Sequence, residues 1–248
     1  MRTTGNTLFI PGASSGIGLG LARRFADAGN TVVVGGRRRA VLDAVVAEDP
    51  RLAAVEIDVT DPASIADAFT EVTTRFPATN GLITMAGVMA TEDLRSPDFL
   101  ATAEETVTTN LLGPLRLLSH FVPFLAAQPE ATVMTVSSGL AFVPLPRTPT
   151  YSATKAAVHS LTESLRVQLA GTSVQVVELV PPAVRTGLMD GLADDPTAMP
   201  LEEFLDEVMT ILTEQPDVQQ VLVERVRMLR FAEVDGRYPQ VLALLSGH

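Results

Sequence analysis

No cysteine occurs in the 248-residue chain, and its only histidines are His120, His159 and His248. The missing thiols exclude disulfides, thiolate nucleophiles and cysteine-ligated zinc, and the scattered histidines argue against a histidine cluster, so no metal is expected. Positive charge is scarce too. Lys and Arg number 18 against 29 Asp and Glu, a net charge of −11, which repels phosphate backbones and anionic membrane surfaces. Nucleic acid is therefore a poor partner. No apolar run approaches the roughly 20 residues that cross a bilayer; even residues 174–180 are interrupted by Gln175 and Glu178. The first six residues are polar and lack the apolar core and cleavage site of a signal peptide, so a cytoplasmic protein is expected. With no repeat, linker or low-complexity tract, and 46% hydrophobic residues, the chain suits a single globular domain that buries roughly 70–75% of its unfolded surface.

What is present is an alternation. Short β-branched or apolar runs at 7–10, 31–34, 55–59, 82–85, 132–136 and 174–180 are separated by helically spaced stretches at 19–28, 40–48, 64–75, 102–125 and 152–169. Near-continuous hydrophobic strands imply a sheet covered on both faces, hence parallel. The expected fold is single-domain α/β, a doubly wound parallel sheet of about seven strands, the last at 218–223. After Leu179 the rhythm is broken by Pro181, Pro182, Pro196 and Pro200, and the stretch from about 187 to 215, including a helix at 201–213, is expected to form a lid over the substrate. A short apolar segment at 241–245 ends the chain.

The first strand runs into Pro11-Gly12-Ala13-Ser14-Ser15-Gly16-Ile17-Gly18 and then a helix. A glycine at 12 permits a tight turn, one at 16 lets the backbone approach a pyrophosphate, and one at 18 lets the helix pack closely. The helix N-terminus favours negative charge. Gly12, Ser14, Ser15, Gly16, Ile17 and Gly18 are thus expected to cradle a dinucleotide, which makes the fold one of the Rossmann type. The Gly-x-x-x-Gly-x-Gly spacing resembles that of the short-chain dehydrogenase/reductase family, with Pro11 where that family has Thr. The resemblance spans about residues 6 to 187. It implies NADP(H), because Gly36 stands where NAD-preferring members carry Asp, and Arg37, with Arg38 beside it, aligns with the arginine that holds the 2′-phosphate. It further implies that Asp58 and Val59 meet the adenine, and that Ala86 and Gly87, in Thr84-Met85-Ala86-Gly87, pass beside the cofactor. The family's Asn-Asn is missing before them, so the sheet there must be knitted another way.

Tyr151 and Lys155 lie four residues apart on an expected helix, which brings both to one face. A phenol working near neutrality needs its anion stabilised by about 4 kcal/mol, and a neighbouring ammonium is expected to supply much of it. Ser137 and Ser138 follow the fifth strand, at the sheet edge where doubly wound folds bind ligands. The resemblance selects Ser138 as the residue that bonds a substrate carbonyl, and Ser137 is expected to cap or bond backbone. It implies a tetrad of Asn110, Ser138, Tyr151 and Lys155, with a main-chain group of Asn110 holding a relay water. It also places Pro181, Val184 and Thr186, in Pro181-Pro182-Ala183-Val184-Arg185-Thr186, at the nicotinamide end. His120 and His159 read as packing or surface residues.

The expected activity is an NADP(H)-dependent carbonyl reductase or secondary alcohol dehydrogenase; the alternative is a non-catalytic NADP(H)-binding sensor or scaffold on the same fold. Leu140, Phe142, Val143, Leu145, Leu188, Met189, Leu192 and Met199 suggest an apolar small-molecule substrate, although such residues also build cores. Pro181-Pro182-Ala183-Val184 and the tail from about Leu222 to Tyr238 resemble oxidoreductases encoded beside D-alanyl lipoteichoic acid genes. By the family's habit a homodimer through 102–125 and 152–169 is expected, or a homotetramer.

Overall fold

The computed structural model describes residues 1–247; His248 lies outside them. Seven strands form one parallel sheet: β1 (Thr7–Pro11), β2 (Thr31–Gly36), β3 (Leu52–Glu56), β4 (Gly81–Thr84), β5 (Ala131–Val136), β6 (Val174–Leu179) and β7 (Gln220–Val221). Their order is β3-β2-β1-β4-β5-β6-β7. The direction of winding therefore reverses between β1 and β4, and a crevice opens at the carboxyl ends of the strands there.

Alternate residues of each strand feed opposite cores. Leu8 and Ile10 join Val32 and Val34 beneath Leu21 and Phe25 of α1 (Gly16–Asp27), Leu42 of α2 (Arg39–Glu48), and Phe204, Leu205 and Val208 of α7 (Leu201–Glu214). Phe9, Val33 and Leu82 face the other way, against Ile65 and Val72 of α3 (Pro62–Arg75), Leu117 and Phe121 of α5 (Gly113–Ala126), and α6 (Pro149–Gln168). Asp61 accepts a bond from Ala63 N at 2.9 Å and Pro62 opens α3, a start that satisfies one orphan amide and wastes none. The remaining helices are α4 (Phe99–Val107), α8 (Arg227–Arg230) and α9 (Tyr238–Ser246). Among the described residues no helix is long and apolar enough to cross a membrane.

Several boundaries differ from expectation. The third strand lies at 52–56, three residues earlier than the 55–59 run, because its register with β2 ends at the Gly36–Glu56 pair. Ile57 and Val59 continue past the sheet but stay buried, so burial, not strand pairing, accounts for their apolar character. The helix expected over 102–125 is interrupted. Between α4 and α5 the chain widens into a π-helical turn, Thr108–Leu112, whose following residue Gly113 donates its N–H to Thr108 O; Pro114, the second residue of α5, has no N–H to give back to that turn. Only two residues of 218–223 pair with β6, and 241–245 belongs to α9. Within the expected lid, α7 buries Phe204, Leu205, Val208 and Leu212 and is core; the cleft is reached only by residues before it.

Candidate functional site

The carboxyl ends of β1, β4, β5 and β6 border a cleft of about 680 Å³. At one end lies the turn after β1. Pro11 remains paired in β1 opposite Gly35, so the ring in place of the family's Thr leaves the strand intact. Gly12 has φ +94°, and a Cβ there would lie 2.4 Å from Ala86 N, so only glycine lets the turn nest against the chain leaving β4. A Cβ on Gly18 would meet Gly12 O at 2.5 Å, which brings α1 hard onto the same turn. No side chain caps α1 and no acidic residue occupies its first turn, which leaves its first amides, beside Ser14, Ser15, Gly16 and Ile17, free to meet an anion.

Arg37 and Arg38 line the cleft beyond Gly36, and neither forms an ion pair among the described residues, whereas Arg39 is tied to Asp43 at 2.8 Å. Asp58, Val59, Ala86 and Gly87 line the same wall. Asp58 Oδ1 accepts from Thr60 N and Oγ1 at 2.9 and 2.7 Å. Burial opposes its charge, yet those bonds and nearby Arg37 hold its carboxyl below the ordinary range. Where the family carries its first asparagine, Thr84, buried, stands opposite Thr135 in the β4–β5 pair, and at the other end of β4 Asn80 ties the strand to Thr7 and Thr132. An uncapped helix start, a glycine turn that any Cβ would fill, and two cations without a competing carboxylate at position 36 fit a dinucleotide bearing a 2′-phosphate.

The other end holds the hydroxyls. Ser138 Oγ accepts from Leu140 N at 3.1 Å, and the Ser138 side chain lies near enough to the Tyr151 phenol to pull its pKa down. Lys155 Nζ donates to Val136 O at 2.9 Å and lies 5.5 Å from the Tyr151 ring centroid. Both side chains are buried, at 7% and 6% exposure. The expected acidification of Tyr151 is not found. Burial pushes the phenol up to about 12, against the contrary pull of Ser138, while the Lys155 ammonium faces the ring and bonds a carbonyl. Burial likewise pulls Lys155 down to about 8.

That depression has a measurable sign. An unfolded lysine keeps its proton to about pH 10, whereas folded Lys155 releases it near 8, so between these values the unfolded state binds more protons and stability rises with pH. Tyr151 works the other way only above about pH 10, since there the folded state keeps the proton. In denaturant unfolding, wild type should gain up to about 1.4 kcal/mol per pH unit relative to Lys155→Met between about pH 8 and 10. Parallel curves for the two proteins would contradict the assignment.

Asn110 sits inside the π-helical turn and does not line the cleft; its neighbour Thr109 does. Its side chain brackets Val88, accepting from Val88 N at 2.9 Å and donating to Val88 O at 2.8 Å. This ties the turn to the strand exit after Gly87. Pro181, Val184 and Thr186 line the cleft. Ser137 departs from expectation: its hydroxyl donates not to backbone but to the carboxylate of Glu178 at 2.5 Å. Of the apolar residues, Leu140, Leu145, Leu188, Met189 and Leu192 line the cleft, while Met199 belongs to the core against which Phe142 packs and Val143 to the small core under the C-terminal helices. Sequence reasoning missed Met89, Arg147, Leu229 and Leu245, all on the cleft wall. Arg147 stands in the loop before α6 and its only signal was its place four residues ahead of Tyr151. Leu229 and Leu245 come from the C-terminal helices and carried none.

A family model described as short chain dehydrogenase matches residues 6–197. An uncharacterized oxidoreductase, DltE, of Bacillus subtilis (strain 168) is 36% identical over 237 residues, covering 94% of this chain and 93% of its own. Farnesol dehydrogenase of Aedes aegypti is 30% identical over 231 residues, covering 88% and 94%. Among solved structures, a short chain dehydrogenase from Burkholderia cenocepacia J2315 in complex with NADP superimposes with a TM-score of 0.82 at 27% identity, covering 98% of each chain. Motifs in order, a seven-stranded parallel sheet and matches along nearly the whole length agree: the chain is an oxidoreductase of the short-chain dehydrogenase/reductase family.

Proposed function

We propose that this oxidoreductase uses NADP(H) to interconvert a ketone and a secondary alcohol, the small-molecule substrate being apolar. The observation that carries the reading is a single cleft with Arg37 and Arg38 unpaired at one end and Ser138, Tyr151 and Lys155 together at the other. The cofactor, when bound, supplies or accepts the hydride. Gly12 to Gly18 and the start of α1 would hold its pyrophosphate, Arg37 and Arg38 its 2′-phosphate, Asp58 and Val59 its adenine, and Pro181, Val184 and Thr186 its nicotinamide end. Ser138 and Tyr151 hydrogen-bond the carbonyl oxygen, and Tyr151 gives that oxygen its proton as negative charge develops. Lys155 would reach the ribose of the bound cofactor, and Lys155 and a water held by a main-chain group of Asn110 would return a proton to the phenol. The phenol, kept neutral by burial, starts in the form that reduction consumes.

The substrate end is lined by Leu140, Leu145, Leu188, Met189, Leu192, Leu229 and Leu245, and a relative bears the name farnesol dehydrogenase; both support an apolar substrate. A homodimer through the outer faces of α5 and α6, where Leu115 and Val167 are exposed, fits a cytoplasmic enzyme of this kind. The test is absorbance at the nicotinamide band over a panel of apolar ketones and alcohols with NADPH and with NADH. Turnover favouring NADPH is expected. Tight NADPH binding with no turnover on any member would favour the sensor or scaffold alternative, and a preference for NADH would remove the NADP(H) assignment. Arg37→Glu replaces a charge-assisted bond with repulsion and should lower the NADPH-over-NADH preference by roughly 10- to 100-fold, read as the ratio of kcat/KM values.

A further inference from the structure

One buried ion has no part in that chemistry. Glu178, on β6, is fully buried, where an unsatisfied carboxylate would be costly. Burial works against its charge, yet hydrogen bonds from His159, Ser137 and Gln220 hold the carboxyl below its ordinary range. Oε1 accepts from Ser137 Oγ at 2.5 Å and from His159 Nδ1 at 3.0 Å; Oε2 accepts from His159 Nδ1 at 2.9 Å and from Gln220 Nε2 at 2.6 Å. An ionised carboxylate only accepts, so His159 Nδ1 carries its hydrogen. Gln220 is held in the donating orientation because its Oε1 accepts from Arg230 Nε at 3.0 Å. The Arg230 guanidinium in turn lies 4.5 Å from the centroid of Phe142, whose ring meets His159 edge-on at 4.7 Å.

The donors arrive from the end of β5, from α6 and from β7. Ser137 directly precedes Ser138 at the end of β5. His159 lies two turns beyond Tyr151 on α6. Glu178 stands three residues before Pro181, and Gln220 closes the sheet from β7. His159, Glu163 and Glu178 bring potential ligand atoms within 4.8 Å of one another, but both oxygens of Glu178 are committed to these donors and Glu163 pairs with Arg166 at 2.7 Å. The cluster is a hydrogen-bonded clamp.

We propose that Glu178, gripped by Ser137, His159 and Gln220, is a positioning residue that locks the Ser137–Ser138 turn against α6 so that the Ser138 hydroxyl meets the Tyr151 phenol. Its consequence for turnover rests on the oxidoreductase reading above; its consequence for the Ser138–Tyr151 contact does not. A carboxylate fixed from three sides tolerates little displacement, and one short bond transmits that rigidity to the residue next to Ser138. A leucine at 178 would fill space without holding Ser137 at all.

The chain has only two tyrosines, Tyr151 and Tyr238, so labelling tyrosine with carbon-13 at Cζ gives two resonances, which Tyr238→Phe assigns. Ser137→Ala cuts the tie between carboxylate and turn and leaves the His159–Glu178 pair. It should lower the melting temperature by a few degrees, because the buried carboxylate loses one donor, keep the fold and the NADPH Kd, shift the Tyr151 resonance in the direction that Ser138→Ala shifts it, and lower kcat by about 10- to 100-fold with little change in KM. Ser137→Thr, which keeps the hydroxyl, should restore both readouts. A wild-type Tyr151 resonance and wild-type kcat in folded Ser137→Ala would overturn the proposal. Should that variant fail to fold, His159→Gln, at a side chain 24% exposed, is read the same way. Absence of turnover in the wild-type protein would count against the oxidoreductase reading alone, because the resonance still decides the clamp.

Discussion

Tyr151→Phe should lower turnover by about 10²- to 10⁴-fold while NADPH binds with unchanged affinity. The substitution removes one oxygen from a ring that is 7% exposed and leaves the ring's packing in place. On the proposed mechanism, what disappears is the proton donor and one of the two hydroxyls that would converge on the carbonyl oxygen. With the phenol pushed up to about 12 by burial, the group stays protonated at neutral pH, so carbonyl reduction should hold its rate well into the alkaline range. Alcohol oxidation needs the deprotonated phenolate to accept a proton and should accelerate as pH rises. Stopped-flow absorbance of NADPH in both directions reads these outcomes together with titration of the cofactor. A Phe variant within tenfold of wild type would remove Tyr151 from the chemistry, and weakened NADPH binding would show that the residue serves the cofactor instead.

Gly12→Ala should be the most damaging small substitution in the chain. Its φ of +94° is strained for any L side chain, and the new Cβ would sit 2.4 Å from Ala86 N and 2.5 Å from Ala86 Cα. Both neighbours are backbone, so neither can swing aside. Strain of about 1–3 kcal/mol and overpacking of about 1–3 kcal/mol together threaten a fold whose total stability is of order 5–15 kcal/mol. A fall in melting temperature of roughly 10 °C is expected, with loss of NADPH binding, because the displaced turn carries the phosphate loop. Gly29→Ala is the internal control. Its φ is +85° but nothing lies within 4 Å of the added Cβ, so it bears the strain without the clash. Equal losses in the two variants would mean that the Gly12–Ala86 contact is unimportant.

The alternation of strands and helices was legible because both faces of a parallel sheet are covered. Val32, Val33 and Val34 are all buried, and an unbroken apolar run has few other uses. Burial without pairing was not legible, which is why Ile57 and Val59 read as strand when β3 had already ended at Glu56. Nor was the π-helical turn at Thr108–Leu112, since a widened turn and an ordinary one share the same apolar spacing. The glycine loop, the arginines after β2 and the Tyr-Lys pair could be read because their chemistry depends on residue type at short spacing. Arg147, Leu229 and Leu245 could not, since a loop and two C-terminal helices far along the chain bring them to the cleft.

By itself, then, the order of residues determined which groups this protein has available: a phosphate turn that tolerates no side chain at position 12, cations where a 2′-phosphate would lie, and a phenol one helical turn from an amine. Local spacing carries that information because backbone conformation and helical periodicity act over a few residues. Tertiary structure decided the electrostatics. It turned the Lys155 ammonium toward a carbonyl and the face of the Tyr151 ring, withdrew both groups from water and so raised the phenol instead of lowering it. It also gathered Ser137, His159 and Gln220 around Glu178. The charge state of a buried group depends on the sum of desolvation and every neighbour in three dimensions, and that sum is set by packing among segments distant in the chain.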